Sequence, residues 1–600
     1  IYYFYYLHYI IDFFSIVKFD HDAHDPESIR INGDGKCYPN CDSSVWLRSC
    51  KEEIIKPING TVKGTIPAWI DGSLLRNGPG NLKVGDMQFE HLFDSSALVH
   101  RFGIKNGTVT YQCRFVQTET YKRNMAAQRI VMTEFVPIFI FNFLRLSTSD
   151  NSMISVYPFG DEYYTFTESP VIHRINPETL ATEGRVIVSD FVGIINHTSH
   201  PHVMSDGTVY NLGMSATKLG PAYNIICFPR GEHMFEEAHL VGMVPCRWKF
   251  HPGYMHTFGI TENYFVIVEQ PLSVSIKQYL KAQITNEKLA SSLKWFDNKP
   301  TLIHLMDRRT GKLKHTFRAE GFFYLHIINQ YEEENHVVVD ICCYKDPSMI
   351  NCMYIESMMN MQNNATYAEM FRGRPLRFVL PLKIDTTPDQ RMLIKSFSFT
   401  SILPTSFQSK HHVKHSQSEY QDLSNSHLKD SHSSIEIKKN FVSLRGSTAK
   451  AFKVHDGGVA VQPELLCDMG CETPRINYEN YVGRKYRFFY AISSDVDAEN
   501  PGTLIKVDTV MKSKLTWCET NCYPSEPVFV PSPHSKSEDD GIVLSALVWG
   551  NLEENKVGLL VLCAKTWKEI GRCEFKTPGP VPKCLHGWFA PNKNTMGKKP

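Results

Sequence analysis

The chain has 600 residues and a formal net charge of +1, so no long-range field of one sign favours binding to nucleic acid or to an anionic substrate. Hydrophobic residues make up 42% and aromatic residues 12%, which is enough for a large core and also suits an apolar ligand. Sixteen cysteines spread over this length, without a secretion signal, indicate reduced thiols in the cytosol rather than a disulfide framework.

The first segment, Ile1 to Lys18, is aromatic and aliphatic apart from His8 and Asp12. It lacks a basic start and a small-residue cleavage site, and it is at the short end for a membrane span. We therefore interpret residues 1–18 as an anomalous apolar segment, and the missing initiator Met leads us to expect either that the true N-terminus is absent or that this segment of the sequence is mispredicted. Residues 19–63 are predicted to form an N-terminal extension, and residues 64–600 a single catalytic domain.

From about Gly64 onward, short runs rich in Val, Ile, Tyr, Phe and Thr alternate with turn sequences such as Asp-Gly and Asn-Gly. This pattern is typical of β-strands. The clearest predicted strands are Gly107–Gln112, Met153–Phe159, Asp161–Thr167, Tyr264–Glu269, His336–Ile341 and Gly541–Val548. Many short strands without the helix alternation of βαβ units favour an all-β fold, either a propeller or a large barrel.

Four segments depart from this strand pattern. Val274–Glu287 and Ser348–Met361 have helical periodicity and are predicted to cap the sheets. A stretch rich in Ser, His, Lys and Gln at about residues 404–440 is predicted to be a disordered insertion, and its histidines are not expected to form a catalytic site. The run Phe135–Leu146 is too short to span a membrane and too apolar to lie in water, so it is either a core helix or a patch that enters one leaflet.

Four histidines occur in distinctive and widely separated contexts. They are His200 in Thr-Ser-His-Pro-His, His256 in Gly-Tyr-Met-His-Thr-Phe-Gly, His326 in Phe-Tyr-Leu-His-Ile-Ile-Asn and His586 in Cys-Leu-His-Gly-Trp-Phe. In a chain with 25 histidines, any one of them alone is more often a surface or hydrogen-bonded core residue than a metal ligand. These four histidines include no pair at helical spacing that would place two ligands on one helix, so spacing alone does not define a metal site.

These contexts, together with several longer blocks, resemble the carotenoid cleavage oxygenase family over nearly the whole chain. The blocks, in chain order, are Trp69–Gly80, His91–Phe102, Tyr163–Glu168, His326–Asn329 and Tyr523–Pro527. Ser95 departs from the family pattern, because many members have Gly at this position. The position is not one of the metal ligands. The resemblance implies a seven-bladed β-propeller with a helical and loop cap over a metal site.

The resemblance also implies that one Fe(2+) per chain is bound by the four histidines, with dioxygen (O2) as co-substrate. Imidazole suits Fe(II), and four neutral ligands leave coordination positions free. Three glutamates are expected to orient three of the rings, and the pairs are Glu168 with His256, Glu472 with His326, and Glu526 with His586. His200 is left without an acidic partner. Family positions near a substrate tunnel are occupied by Phe135, Thr167 and Tyr344.

Three further blocks, Tyr38–Cys50, Cys246–Tyr254 and Cys584–Pro591, are similar to insect members of the family. That resemblance implies cleavage of a C40 carotenoid at its central 15,15' double bond to retinal-type aldehydes, with all-trans to 11-cis isomerisation of one half, for visual chromophore synthesis. A carotenoid is nearly insoluble in water, so we expect a cytoplasmic enzyme in monotopic contact with an intracellular membrane. No nucleic-acid partner is expected.

Two alternative functions stay open at this point. A retinyl ester isomerohydrolase would use the same four-histidine site without consuming oxygen, and an anaerobic assay on carotenoid separates it from an oxygenase. A propeller that binds retinoids or a protein partner without catalysis would need neither the metal ligands nor the glutamates.

Overall fold

The computed structural model of the protein describes residues 35–131, 149–285, 292–384 and 439–592. Residues 1–18, the run Phe135–Leu146 and nearly all of the insertion predicted at about 404–440 lie outside these ranges. The described residues form seven β-sheets of four to six strands, whose inner strands contact those of neighbouring sheets. The sheets are therefore the blades of a propeller, and the predicted seven-bladed fold is confirmed.

The first four blades, numbered along the chain, are given with their strands from the inner to the outer edge. Blade 1 contains His586–Pro591, Gly72–Asn81, Ser96–Lys105, Thr108–Phe115 and Ile54–Asn59. Blade 2 contains Ser155–Phe159, Glu162–Phe166, Val171–Ile175 and Thr182–Ile187. Blade 3 has a divided inner strand and contains Asn196–His197 with His202–Val203, Val209–Thr217, Gly220–Phe228 and His239–Pro245. Blade 4 contains Gly259–Ile260, Tyr264–Glu269, Thr301–Asp307, Leu313–Ala319, Val459–Gln462 and Lys450–Lys453.

The remaining blades follow the same order. Blade 5 contains Phe323–Glu333, His336–Tyr344, Arg374–Pro381 and Glu464–Leu465. Blade 6 contains Glu472–Arg475, Phe488–Ile492, Leu504–Asp508 and Ser513–Trp517. Blade 7 also has a divided inner strand and contains Cys522–Pro524 with Val528–Pro531, Gly541–Trp549, Lys556–Cys563, Glu569–Lys576 and Thr61–Gly64. Two further hairpins pair Lys83–Val84 with Met87–Gln88 and Leu272–Val274 with Leu293–Trp295.

Segments from the two ends of the chain close the ring of blades. The strand His586–Pro591 pairs with Gly72–Asn81 inside blade 1, and Thr61–Gly64 is the outer strand of blade 7. Ile54–Asn59 and Thr61–Gly64 lie in the residues predicted as an N-terminal extension, so the propeller begins before the predicted boundary at residue 64. These outer strands are mostly exposed, and for that reason they lack the apolar alternation by which strands are recognised.

The helices are short and lie in connections between strands. The described α-helices are Glu119–Ala127, Ile276–Thr285, Ser348–Cys352, Ile355–Met359, Tyr367–Met370 and Tyr478–Tyr481. The described 3-10 helices are Ser43–Trp46, Leu92–Asp94, Val188–Asp190 and Met361–Asn363. Within the described ranges, no helix has the length and apolar character needed to cross a membrane.

Both predicted helical segments contain helix, with different bounds. The segment predicted from Val274 has its helix at Ile276–Thr285. The segment predicted at Ser348–Met361 is divided after Cys352, because the backbone on both sides of Tyr354 pairs with another loop: the Leu92 amide donates to the Met353 carbonyl, and the Ile355 amide donates to the Glu90 carbonyl.

The apolar core lies between neighbouring blades. In the cluster between blades 1 and 7, Leu98 and Phe102 pack with Leu544 and Leu559, and all four are fully buried. Full burial of each such side chain contributes about 1.5–3 kcal/mol. All sixteen cysteines are free and most are buried. The propeller axis, by contrast, is lined by polar side chains.

Candidate metal centre

Four histidines from four blades converge at the propeller axis. His200 lies between the two short inner strands of blade 3, and His326 lies at a break in strand register between Tyr324 and Ile327 of blade 5. His256 precedes the inner strand of blade 4, and His586 begins that of blade 1. An interrupted strand releases a side chain from the regular alternation of the pleat, so the ring can turn toward the axis.

The spacing of the rings fits one metal ion. The ring centroid of His200 lies 4.8, 5.1 and 4.6 Å from those of His256, His326 and His586, respectively. The Nε2 atoms of His200 and His256 are 3.2 Å apart. Ring nitrogens of His200, His326 and His586 all lie within 4.8 Å of one another. Two nitrogen ligands at right angles, each about 2.1 Å from an ion, are about 3.0 Å apart.

The chemistry of the donor set supports the same conclusion. Nε2 of His326 is buried and makes no hydrogen bond with the described residues. A buried polar atom without a partner is rare in folded proteins and needs an explanation, such as a bound ion. Because imidazole nitrogen binds iron, zinc, copper and nickel, the cluster fits a divalent transition-metal ion.

Three of the four rings donate Nδ1–H to a glutamate. The pairs are His256 and Glu168 at 2.7 Å, His326 and Glu472 at 2.5 Å, and His586 and Glu526 at 2.8 Å. A carboxylate on Nδ1 fixes the tautomer in which Nε2 carries the free lone pair, which is the atom needed for metal binding. The structure thus brings together each predicted pair.

Glu526 is held by the largest number of partners. Arg76 donates to its Oε2 at 2.9 Å, and Arg475 donates to Oε1 at 2.8 Å and to Oε2 at 3.2 Å. The amide of Gly587 donates to Oε2 at 2.9 Å. Paired guanidinium and carboxylate groups have a fixed fork geometry, so this network holds the carboxylate, and through it the ring of His586, in one orientation.

The other two glutamates have fewer partners. Glu472 accepts a hydrogen bond from the Tyr344 hydroxyl at 2.8 Å and from the Thr473 amide at 2.8 Å. Glu168 accepts one from the Tyr254 hydroxyl at 2.7 Å, and that hydroxyl is also 3.0 Å from Nδ1 of His256.

His200 differs from the other three rings. No carboxylate lies within ion-pair distance of it among the described residues, and its Nδ1 is 3.4 Å from the Tyr157 hydroxyl.

The electrostatics favour a neutral ring at His200 and at His586 and an ionised carboxylate at Glu526. Burial lowers the pKa of His200 far below its ordinary value, and the neighbouring histidines lower it further. Burial also lowers the pKa of His586 to about 4, against the opposing effect of Glu526. Burial by itself raises the pKa of Glu526, but Arg475 and His586 outweigh it, and the pKa lies well below its ordinary value. Neutral imidazole is the form that binds a metal.

Two cavities reach the histidine cluster from different directions. The larger, of about 1220 Å³ including its opening, is apolar and ends at His256, His326 and His586. The short helices and their C-terminal ends form part of its wall, which includes Trp46, Phe93, Met349, Met353, Met358 and Phe371. The smaller cavity, of about 620 Å³, is more polar and reaches the cluster beside Arg475 and Tyr478. The helices therefore cap the cluster and enclose an apolar space above it.

The three predicted tunnel residues have different positions. Phe135 lies outside the described residues. Thr167 is half-buried and directly precedes Glu168 in the chain, and Tyr344 is fully buried with its hydroxyl on Glu472. Neither residue is part of the wall of the apolar cavity. Tyr344 therefore supports a glutamate.

Sequence reasoning assigned no role to three residues that the structure brings to the glutamates, namely Arg76, Arg475 and Tyr254. Arg76 offers a signal that could have identified it, because it lies in a strand whose neighbouring residues are all buried. A charged side chain in such a strand requires a buried partner of opposite charge.

The profile described as "Retinal pigment epithelial membrane protein" matches residues 47–591. The chain therefore belongs to this family, which includes the carotenoid oxygenases.

Individual relatives give the same result. The chain is 59% identical to the carotenoid isomerooxygenase of Drosophila melanogaster, over 97% of this chain and 98% of the relative. It is 51% identical to the carotenoid isomerooxygenase of Galleria mellonella, over 94% and 99%. It is 35% identical to the beta,beta-carotene 15,15'-dioxygenase of Gallus gallus, over 91% and 98%.

Solved structures share the fold. A variant of the apocarotenoid oxygenase from Synechocystis superposes with a TM-score of 0.67 at 20% identity, over 92% of this chain and 100% of that chain. The cobalt-substituted form of that oxygenase gives a TM-score of 0.66 at 20% identity, over 92% and 99%.

Proposed function

We propose that this protein is an iron(II)-dependent carotenoid isomerooxygenase. It cleaves a C40 carotenoid at the central 15,15' double bond with dioxygen and converts one half from the all-trans to the 11-cis form. The observation that carries this proposal is the convergence of four histidines, of which the three oriented by glutamates are buried and lie at the end of an apolar cavity. The names of the relatives from Drosophila melanogaster and Galleria mellonella support the same reaction.

In this proposal His200, His256, His326 and His586 hold one Fe(II). Bound iron supplies the activation of dioxygen that cleavage of a carbon–carbon double bond requires. Glu168, Glu472 and Glu526 keep the rings oriented and their Nε2 lone pairs directed inward. The neutral rings add no charge, so the ion keeps its full positive charge for the reaction.

The apolar cavity is the proposed carotenoid site. Methionine side chains adapt to irregular apolar shapes, and Met349, Met353 and Met358 line the wall. The ring faces of Trp46 and Phe371 can stabilise positive charge that develops along the polyene, which weakens its double bonds and permits isomerisation. The cavity thus offers exclusion of water and a place for rotation about a bond.

An assay with and without dioxygen tests the proposal and its alternatives. Purified protein is loaded with Fe(II) and given β-carotene in detergent micelles, and the products are separated by chromatography. We expect retinal-type aldehydes only in the presence of dioxygen, with an 11-cis fraction. Conversion of retinyl esters without oxygen would instead support an isomerohydrolase. Binding of carotenoid or retinoid without turnover of either substrate would support a binding protein.

We also propose monotopic contact with a membrane, because the substrate is nearly insoluble in water. Val131, Met87 and Met359 are 43%, 45% and 61% exposed, and their chain neighbours Ile130, Val84 and Met358 pack in one apolar cluster of the cap. These exposed side chains are suited to enter one leaflet. Flotation with lipid vesicles tests the contact, and the double variant Met87→Ser, Met359→Ser should float less than the parent protein. Equal flotation of both would rule out this surface.

A further inference from the structure

Lys583 is a buried amine in the wall of the apolar cavity. It is 3% exposed and lines the cavity together with Trp46 and Pro524. His586, three positions along the chain, lines the same cavity. The amine and the histidine cluster therefore open onto one apolar space.

A carbonyl and an aromatic ring lie beside this amine, but no carboxylate among the described residues balances a positive charge on it. Nζ donates to the Pro524 carbonyl and lies 4.9 Å from the centroid of the Trp46 ring, and within the described ranges no carboxylate is within ion-pair distance. A buried ammonium without a counter-ion is costly. Lys583 is therefore under pressure to lose its proton.

Lys506 is a second buried lysine of the same chain, and its surroundings differ from those of Lys583. It is 4% exposed, and its Nζ donates to Asp539 at 2.7 Å and to the Ala564 carbonyl at 2.7 Å. Lys506 thus has the carboxylate that Lys583 lacks. The two residues form a natural pair for comparison.

Burial lowers the pKa of Lys583 to about 7, with a smaller contribution in the same direction from Arg76. A large share of the amine is then unprotonated near neutral pH. An unprotonated lysine in an apolar pocket is the nucleophile that forms Schiff bases with carbonyl compounds.

We propose that Nζ of Lys583 forms an imine with a conjugated aldehyde held in the apolar cavity. This inference rests on the proposed function, because the cleavage reaction would release two such aldehydes in the same cavity. The Nζ lone pair attacks the carbonyl carbon, the carbinolamine loses its oxygen as water, and both amine protons leave with that water. No oxidant or reductant is needed. The tether would retain one half of the cleaved carotenoid while the other half departs.

Chemical trapping tests the imine directly. The full-length, iron-loaded protein is incubated with all-trans-retinal, reduced with borohydride, digested and mapped by mass spectrometry. We expect one retinyl group on Lys583 of the parent protein and none on Lys506. Lys583→Arg should lose this label, and Lys506→Arg should keep it. Because the parent protein is mapped residue by residue, the result does not depend on the folding of either variant.

The outcomes separate this inference from the proposed function. Label confined to exposed lysines, or none on Lys583, would overturn the imine, and Lys583 would then be a structural residue that holds the Pro524 carbonyl. Carotenoid cleavage measured on the same preparation reports independently on the proposed function. A labelled Lys583 in a protein that does not cleave carotenoid would sustain the imine and overturn the oxygenase.

Discussion

The Glu526 side and the Glu168 side of the histidine cluster orient their rings by different means. The Glu526 side chain is 2% exposed and contacts two arginines, whereas that of Glu168 is 19% exposed and contacts the Tyr254 hydroxyl. A carboxylate enclosed by guanidinium groups cannot be removed without leaving buried charges unpaired. A partly solvated carboxylate can be replaced by water or a neutral amide at lower cost. The cluster should therefore be rigid on the blade 7 side and more tolerant on the other side.

Glu526→Gln is expected to have the largest effect. Removing the carboxylate charge leaves Arg76 and Arg475 without an anionic partner and frees the ring of His586. We expect iron affinity to fall toward the upper end of the ~10- to 100-fold range typical of residues that support metal ligands. The free energy of unfolding should fall by about 3–5 kcal/mol. Iron content after dialysis against a chelator, and chemical denaturation, measure the two effects.

A matched control is Glu162→Gln, because the Glu162 side chain is 44% exposed and its ion pair with Arg174 lies on the surface. A surface ion pair of this kind contributes about 0–1 kcal/mol. The control should keep its iron. If Glu526→Gln retained iron as well as the control does, the arginine network would have no role in metal binding.

Arg475→Met is expected to shift the acid limit of iron retention. In the parent protein the pKa of Glu526 is depressed. The carboxylate that orients His586 is therefore ionised at pH values above the ordinary pKa of 4.5, and it is protonated only as the pH falls well below that value. Without Arg475 the pKa rises toward the ordinary value, and protonation begins at higher pH. We expect the pH of half-maximal iron loss to rise by on the order of one unit. Iron content measured across a pH series would contradict this mechanism if the two curves coincided.

Glu168→Gln should have a smaller effect than Glu526→Gln. The amide can still accept the Nδ1–H of His256, and the Tyr254 hydroxyl stays within 3.0 Å of that nitrogen. We expect roughly a 10-fold loss of iron affinity, the lower end of the usual range. The same dialysis assay gives the comparison. A loss of iron affinity equal to that in Glu526→Gln would show that enclosure by arginines does not determine how strongly each glutamate supports iron binding.

The motif blocks of the sequence contain Glu168 and Glu526 but do not indicate which of the two supports iron binding more strongly. They predict the propeller, the four histidines and the pairing of each glutamate, and Tyr264–Glu269 is predicted with the bounds of the observed strand. The arginine network is not visible in the sequence, because Arg76, Arg475 and Glu526 come from blade 1, blade 6 and the segment that divides the inner strand of blade 7. Arg76 is 450 positions from Glu526, so no local spacing records their contact.

The cap could be predicted only as helices at approximate positions. Helical periodicity identifies Ser348–Met361, but the break after Cys352 depends on pairing with the backbone near Leu92, which is distant in sequence. The position of Tyr344 follows from burial of its hydroxyl beside Glu472, which no local pattern reports. Long-range pairing of polar groups therefore accounts for what the sequence alone leaves undetermined.

Tyr344→Phe should have the smallest effect, and it tests how Glu472, the third glutamate, is held in place. Burial by itself raises the pKa of Glu472, but His326, the Thr473 amide and the Tyr344 hydroxyl outweigh it and keep the carboxylate ionised. Removing one hydroxyl leaves the other two contacts in place, so we expect a loss of about 1 kcal/mol, roughly fivefold in iron affinity. Tyr331→Phe is the control, since Tyr331 is also buried, packs in a different core cluster from Tyr344 and makes no hydrogen bond with Glu472 among the described residues. A loss of iron affinity as large as that of Glu526→Gln would mean that the orientation of Glu472 depends on a single hydroxyl. The most rigid part of the cluster would then lie on blade 6 rather than on blade 7.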